Sequence, residues 1–270
     1  MKRIVFYITL IGILFPAIAH AGPWAQPEGG AYGKVSAGLT TGSGVFQNDG
    51  GIADSPSFTL LSADVYTELG ITDSLTGVFQ GSVFGFSSYD EESTAFSGPF
   101  ILGARYGLIK GEVPFALELK VGADTGVGSD DIAINEPFRF TPVRVGGVLA
   151  ELHASTGWAS NGFWVTGNAG GRVYSNGQPL DLIAGLDLGY SFSNLELSLY
   201  FPFQWSLEKA DIPNVAGSEE TRYLGVGIGV GYWFNENIGI SASAAGVAFA
   251  YANLAAPALS LGVQFKGDLF

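Results

Sequence analysis

Between Arg222 and Tyr251 the chain reads RYLGVGIGVGYWFNENIGISASAAGVAFAY. In its first half Leu224, Val226, Ile228, Val230 and Tyr232 alternate with Gly225, Gly227, Gly229 and Gly231. A period of two is the side-chain period of a β-strand, so one face is apolar throughout and the other almost bare. The aromatic run Tyr232-Trp233-Phe234 then meets a polar turn, Asn235-Glu236-Asn237, and a second alternating strand starts at Ile238. Two successive strands of this kind are hard to hide in a water-soluble core. A transmembrane β-barrel accommodates them: lipid takes the apolar face, the lumen takes the other, and aromatics ring the interface. The glycine row is not a nucleotide-binding GxGxxG loop, because its spacing is two throughout and no helical pattern follows.

The first residues, MKRIVFYITLIGILFPAIAHA, have the form of an export leader. Lys2 and Arg3 make a positive start, Ile4 to Ile18 an apolar stretch, and Ala19-His20-Ala21 a small-residue cleavage site before Gly22. The stretch is short for a membrane helix and contains Pro16. The expected division is residues 1–21 as signal peptide and 22–270 as one barrel domain. The sequence has no cysteine, which removes both a lipidated N-terminus and a disulfide framework. Setting Lys2 and Arg3 aside leaves ten basic residues against 25 acidic ones, a formal charge of −15, and argues against nucleic acid as a partner.

The rest of the chain reads as strand pairs. A loop-like Gly22–Gly29 precedes a strand at Ala31–Leu39, and a long polar loop is expected to about Ser57. Hairpins follow at Phe58–Leu69 with Leu75–Ser87, Pro99–Leu108 with Val113–Asp124 around Lys110-Gly111, and Val143–Ser155 with Gly162–Tyr174 around GWASN. Leu180–Ser191 pairs with Leu195–Ser206, and Pro257–Phe265 brings the count to about twelve, with ten or fourteen also compatible. Connectors alternate between short (70–74, 109–112, 157–161, 192–194, 234–237) and mostly longer (40–57, 88–98, 125–142, 207–221, with 175–179 and 252–256 shorter). Outer-membrane barrels have short periplasmic turns and longer external loops. The expected fold is therefore an all-β, antiparallel, up-and-down transmembrane barrel.

Alternation assigns faces. Leu61, Ala63, Val65 and Leu69 point to lipid and Ser62, Asp64, Tyr66 and Glu68 inward. Phe115, Leu117, Leu119 and Val121 point out, with Glu118, Lys120 and Asp124 inward. Leu195, Leu197, Leu199, Phe201, Phe203 and Trp205 oppose Glu196, Ser198, Tyr200, Gln204 and Ser206. A basic residue facing lipid near the midplane costs about 2–4 kcal/mol, which drives this choice. Faces blur in Leu75–Ser87 and in Ile238–Tyr251. The candidate solute pathway is Asp64, Glu68, Arg105, Glu118, Lys120, Glu151, His153, Arg172, Asp187, Glu196 and Gln264, joined by Lys34 and Asn168. Paired charges filling a narrow barrel are one reading. A polar conduit favouring neutral or cationic solutes is the other, since carboxylate rings favour cations. The Gly225–Gly231 row tips the balance toward the conduit by vacating lumen volume, unless the glycines admit a plug such as the N-terminal segment.

The acidic loop clusters Asp90-Glu91-Glu92, Asp130-Asp131, Asp211 and Glu219-Glu220 lack EF-hand spacing. They read as solvated loops bridged by divalent cations to lipopolysaccharide, so no resident metal and no organic cofactor is expected. His153 and Ser155 share a strand face, and a His–Ser pair can activate a nucleophile. The element resembles the H-x-S-N-G of the outer-membrane phospholipase A family. Thr156 stands where that family has the asparagine, Ser160-Asn161-Gly162 lies out of register, and alternation puts His153 in the lumen rather than against lipid. No enzymatic activity is expected, and a lipid hydrolase is only a third reading.

Pro23 to Lys34 (PWAQPEGGAYGK) and Leu69 to Leu75 (LGITDSL) resemble the opening strand and first periplasmic turn of Gram-negative outer-membrane transporter barrels, including the group named for the meta-pathway of phenol degradation. The resemblance covers about the first third of the chain. It implies uptake of small, often hydrophobic solutes and carries over no functional residues. At the other end Leu259, Leu261, Val263 and Phe265 alternate, but Lys266-Gly267-Asp268-Leu269 intervenes before Phe270, so that either Phe265 ends the last strand or a bulge restores register. The sequence therefore points to a passive outer-membrane channel inserted by the barrel-assembly machinery, whose partners are lipid, lipopolysaccharide and a small solute. The alternative is a non-conducting structural or surface-interaction barrel.

Overall fold

A computed structural model describes residues 22–47, 49–90, 92–123, 125, 132–134, 138–140, 147–175, 180–208, 214–215, 222–251 and 253–269. Residues 1–21, expected to be the signal peptide, Asp124, the acidic groups Glu91, Asp130-Asp131, Asp211 and Glu219-Glu220, most of the 125–142 loop, and Phe270 lie outside the described residues.

Twelve long strands form the molecule: β1 Gly30–Phe46, β2 Ile52–Thr72, β3 Leu75–Tyr89, β4 Phe100–Ile109, β5 Phe115–Ala123, β6 Val148–Ser160, β7 Phe163–Tyr174, β8 Asp181–Phe192, β9 Leu195–Ser206, β10 Arg222–Trp233, β11 Ile238–Tyr251 and β12 Ala258–Asp268. Each pairs antiparallel with the next, and β12 pairs with β1 from Gly30↔Asp268 to Thr40↔Ala258, which closes the sheet. Closure leaves no long sheet edge unpaired, the condition for crossing hydrocarbon with strands. Among the described residues there is no helix. Short strands decorate the long-loop end: Glu92–Phe96 pairs with β3, Asn253–Leu254 with β1, and Ile132–Ile134, Phe138–Phe140 and Asn214–Val215 form a separate small sheet.

The outer surface carries the large apolar residues. Leu102 and Leu261 are 67 % and 68 % exposed, in line with Leu117, Leu119, Val121, Leu197, Leu199, Ile228 and Val230. Aromatic pairs mark both rims: Trp158–Phe163 and Tyr232–Phe234 at the short-turn end, Phe203–Trp205 and Trp205–Tyr251 at the other. Such girdles flank the apolar band of outer-membrane barrels. By the same rule the short-turn end, where Gly29 and Leu269 also meet, is periplasmic.

Several sequence boundaries move. The stretch 40–57 is not a long loop, because β1 and β2 continue to Phe46 and Ile52 and leave only 47–51 as connector. The alternation breaks at a register shift between Gly42 and Gly44, which hid the continuation. Residues 157–160 of GWASN are strand rather than turn. The turn falls on Asn161-Gly162, whose φ values of 51° and 80° are both left-handed, as the tightest hairpin turn requires. In β3 the blurred faces have a cause: Ala63 pairs with Phe84 and Asp64 with Ser82, so Val83 is an extra residue and both Val83 and Phe84 face out. Likewise Leu224 pairs with Phe249 and Gly225 with Val247, leaving Ala248 as the bulge. The last strand does not end at Phe265, nor does a bulge intervene; its pairing with β1 runs unbroken to Asp268.

Candidate functional site: the barrel lumen

Register, more than sequence distance, decides which lumenal charges meet. Arg105 lies opposite Glu118, Glu118 opposite His153, Lys120 opposite Glu151, Glu151 opposite Arg172, and Arg172 opposite Asp181. Acids and bases therefore face one another across four consecutive strand pairs. Arg105 donates from Nε to Glu118 at 2.6 Å and from Nη1 to Glu68 at 2.8 Å, with Tyr66 within 3.4 Å of Nη2. Lys120 Nζ reaches the other Glu118 oxygen at 2.6 Å. Glu151 is held by Arg172 on one oxygen and lies 2.9 Å from His153 Nε2 on the other. Asp181 accepts from Tyr174, Gln204 and Ser206 at 2.9–3.1 Å, and Arg222 continues the chain by donating to the Ser206 carbonyl.

These contacts dispose of the fully buried charges: Glu68 and Glu151 are each 2 % exposed. A buried ion without partners would be prohibitive, whereas this network gives each carboxylate at least two donors or cations. Apart from Asp124, which lies outside the described residues, the charged positions expected in the lumen are on its inner face, and they divide into two groups. Glu68, Glu118, Glu151, Arg105, Lys120 and Arg172 form the closed network. Asp64 accepts from Ser62 and Ser82, Asp187 accepts from Thr166 at 3.3 Å, and Glu196 and Gln264 sit on the opposite wall. Lys34 borders the same space as Asp187 and Glu196.

The open space lies between these groups. A cavity of about 520 Å³ is lined by Tyr32, Lys34, Asp64, Tyr66, Arg105, Glu118, Lys120, His153, Ser155, Asn168 and Asp187. A second, of about 340 Å³, is lined by Tyr32, Lys34, Trp164, Asp187, Glu196, Tyr200, Trp233, Ser241 and Gln264. A third, of about 230 Å³, takes in Thr40, Ser62, Asp64, Tyr200, Ser243 and Ser260. Lys34, Asp64, Asp187 and Tyr200 are shared between their walls, so the three lie side by side. The Trp233 indole N–H and the Ser241 hydroxyl on its border lack hydrogen-bond partners among the described residues. A further concavity, of about 980 Å³, is on the outer wall among Leu39, Leu197, Leu199, Ile228, Leu259 and Leu261; it faces lipid and is almost wholly apolar.

The glycine row does not hold the N-terminal segment. Tyr200 lies directly opposite Gly227, and its ring covers that glycine, while Ser198 covers Gly229. The segment instead crosses the periplasmic end of the other wall. Gln26 donates its backbone N–H to Thr76 and its side-chain amide to Glu68 at 2.7 Å. The Pro27 carbonyl rests on Gly70, Ala25 faces Gly107, and Pro23 and Trp24 lie on Gly157, where an added Cβ would be 2.9 Å from each. Three inward glycines on β2, β4 and β6 thus make the seat. At the opposite end Val45, Phe58, Tyr89 and Leu254 form a small apolar cluster, with Ala256 against Gly42 narrowing the mouth on the β1–β3 side.

Gln26, Thr76, Asp181 and the inward Trp164 and Trp233 escape the sequence reading. Parity from Leu182 places Asp181 inward; nothing comparable marks Gln26, which belongs to no strand.

Together, the closed twelve-strand sheet, its apolar exterior and its ionic interior define an outer-membrane β-barrel. The fold is similar to that of an outer-membrane channel from Pseudomonas putida F1, with a TM-score of 0.68 at 17 % identity over 93 % of this chain and all of that one. The translocator domain of the autotransporter NalP from Neisseria meningitidis is more distant, with a TM-score of 0.51 at 12 % identity over 88 % of both chains. No family model matches, and no curated protein matches by sequence.

Proposed function

We propose that this barrel is a passive outer-membrane channel for small solutes, neutral or cationic rather than anionic. One observation carries the reading: among the described residues, the adjoining cavities are bordered by Asp64 and Asp187, acids that take only hydroxyl hydrogen bonds, beside Lys34. Carboxylates lining a narrow aqueous path favour cations over anions. The preference for hydrophobic solutes rests on the resemblance of the N-terminal third to transporter barrels. Export through a cleaved leader, insertion by the barrel-assembly machinery and contact of the outer loops with lipopolysaccharide belong to the same reading.

A second reading, a non-conducting barrel, is favoured by the N-terminal segment and the Val45–Phe58–Tyr89–Leu254 cluster, which narrow the two ends. His153 belongs in either case to the ion network, since Glu151 occupies its Nε2, and no catalytic role is assigned to Ser155. Single-channel recording in a planar bilayer across a salt gradient decides between the two. Discrete steps with a cation-selective reversal potential support the channel; a folded, silent barrel favours the second reading.

A further inference from the structure

Gly22 is the first described residue, and it borders the 520 Å³ lumenal cavity. An atom added at its Cα would lie 3.2 Å from the Thr166 methyl, and Thr166 donates its hydroxyl to Asp187. Removal of the leader after Ala21, the cleavage expected from the sequence, would place a new N-terminus at this border. Water adds across the Ala21–Gly22 amide under a leader-cleaving protease. The carboxylate leaves with the leader, and Gly22 keeps an α-ammonium.

That ammonium needs an anion. Three carboxylates border the cavity with it. Glu118 is already shared by Arg105 and Lys120, and Asp64 takes two serine hydroxyls. Asp187 has one long hydrogen bond, from the residue that Gly22 touches, and no cation among the described residues. We infer that the α-ammonium of Gly22, made by leader cleavage, is received by Asp187 inside the lumen and locks the N-terminal segment on its glycine seat. The lock joins the far end of the segment to β7 and β8, while Gln26 ties its middle to β2 and β3. Processing thereby completes the periplasmic floor of the lumen.

The test uses protein exported to the membrane and extracted folded. Mass spectrometry of the N-terminal peptide reads its first residue, and an amine-reactive ester near neutral pH reads the labelling rate of its α-amino group. An α-ammonium held by a carboxylate labels about tenfold more slowly in the folded barrel than in denaturant, because only the neutral amine reacts. Asp187→Asn, and a refolded chain carrying one methionine ahead of Gly22, each return the rate toward that of the unfolded chain; heat-modifiable migration in gels verifies that both are folded. A mature chain starting elsewhere, equal labelling of folded and unfolded native protein, or an Asp187→Asn rate as slow as the native one overturns the inference. None of these readouts requires conduction, so the outcome is independent of the channel reading.

Discussion

Arg105 on β4 and Glu118 on β5 are register partners, and their side chains close to 2.6 Å inside the barrel. The same guanidinium reaches Glu68 two strands away, so one cation serves two carboxylates with almost no water contact. Such a group contributes less through its own attraction than through what its loss would leave behind.

Arg105→Ala should therefore destabilise the barrel by about 3–5 kcal/mol, because Glu68 and Glu118 are left buried with unbalanced charge. Urea unfolding in detergent measures it. The double variant Arg105→Ala with Glu68→Gln should recover part of the loss; equal stability of Arg105→Ala and the native chain would contradict the network.

Ion selectivity should respond differently to two carboxylates. Glu196→Ala removes an acid beside the open space and should lower the cation-to-anion permeability ratio. Glu118→Ala removes one inside the network, releases Lys120 and half of the Arg105 pairing, and should lower the ratio further. Reversal potentials in a salt gradient read both, and unchanged potentials would exclude these residues from the lining.

Tyr200 over Gly227 predicts a compensating pair. Gly227→Leu should cost about 1–3 kcal/mol by driving the ring off its seat. In a Tyr200→Ala background the same change should cost clearly less. The double-mutant cycle, followed by thermal loss of heat-modifiable migration, finds additivity if the ring does not lie there.

Gly157→Leu should unseat Pro23 and Trp24 without disturbing any ion pair. The expected outcome is a higher conductance than native and faster protease cleavage within residues 22–29. Native-like values for both would remove the segment from the pathway.

How much of this was legible beforehand depends on parity. Where two residues per period held, as in Leu195–Ser206, every inward and outward position followed from the letters. One additional residue reverses a face, and Val83 and Ala248 do so without being glycine or proline themselves. Turn position failed at GWASN because Trp158 and Ser160 fit a strand as well as a loop, and only the left-handed backbone at Asn161-Gly162 decides it. The charges were found individually, but their partners depend on register between strands far apart in sequence: Lys120 meets Glu151 across a connection of more than twenty residues. The seat of the N-terminal segment was misplaced for a related reason. The longest glycine row drew attention, while the actual seat is three single glycines on alternate strands.

The strands are not of equal length: β2 has 21 residues and β1 has 17, against nine in β5. At about 3.4 Å per residue β2 is roughly 70 Å long, and a tilted crossing consumes about ten residues of it. What remains on β1–β3 stands as a hydrogen-bonded palisade beyond the apolar band. A protease, antibody or phage arriving from outside thus encounters a stiff ribbon whose amides are already engaged, and must grip side chains because the backbone offers little purchase.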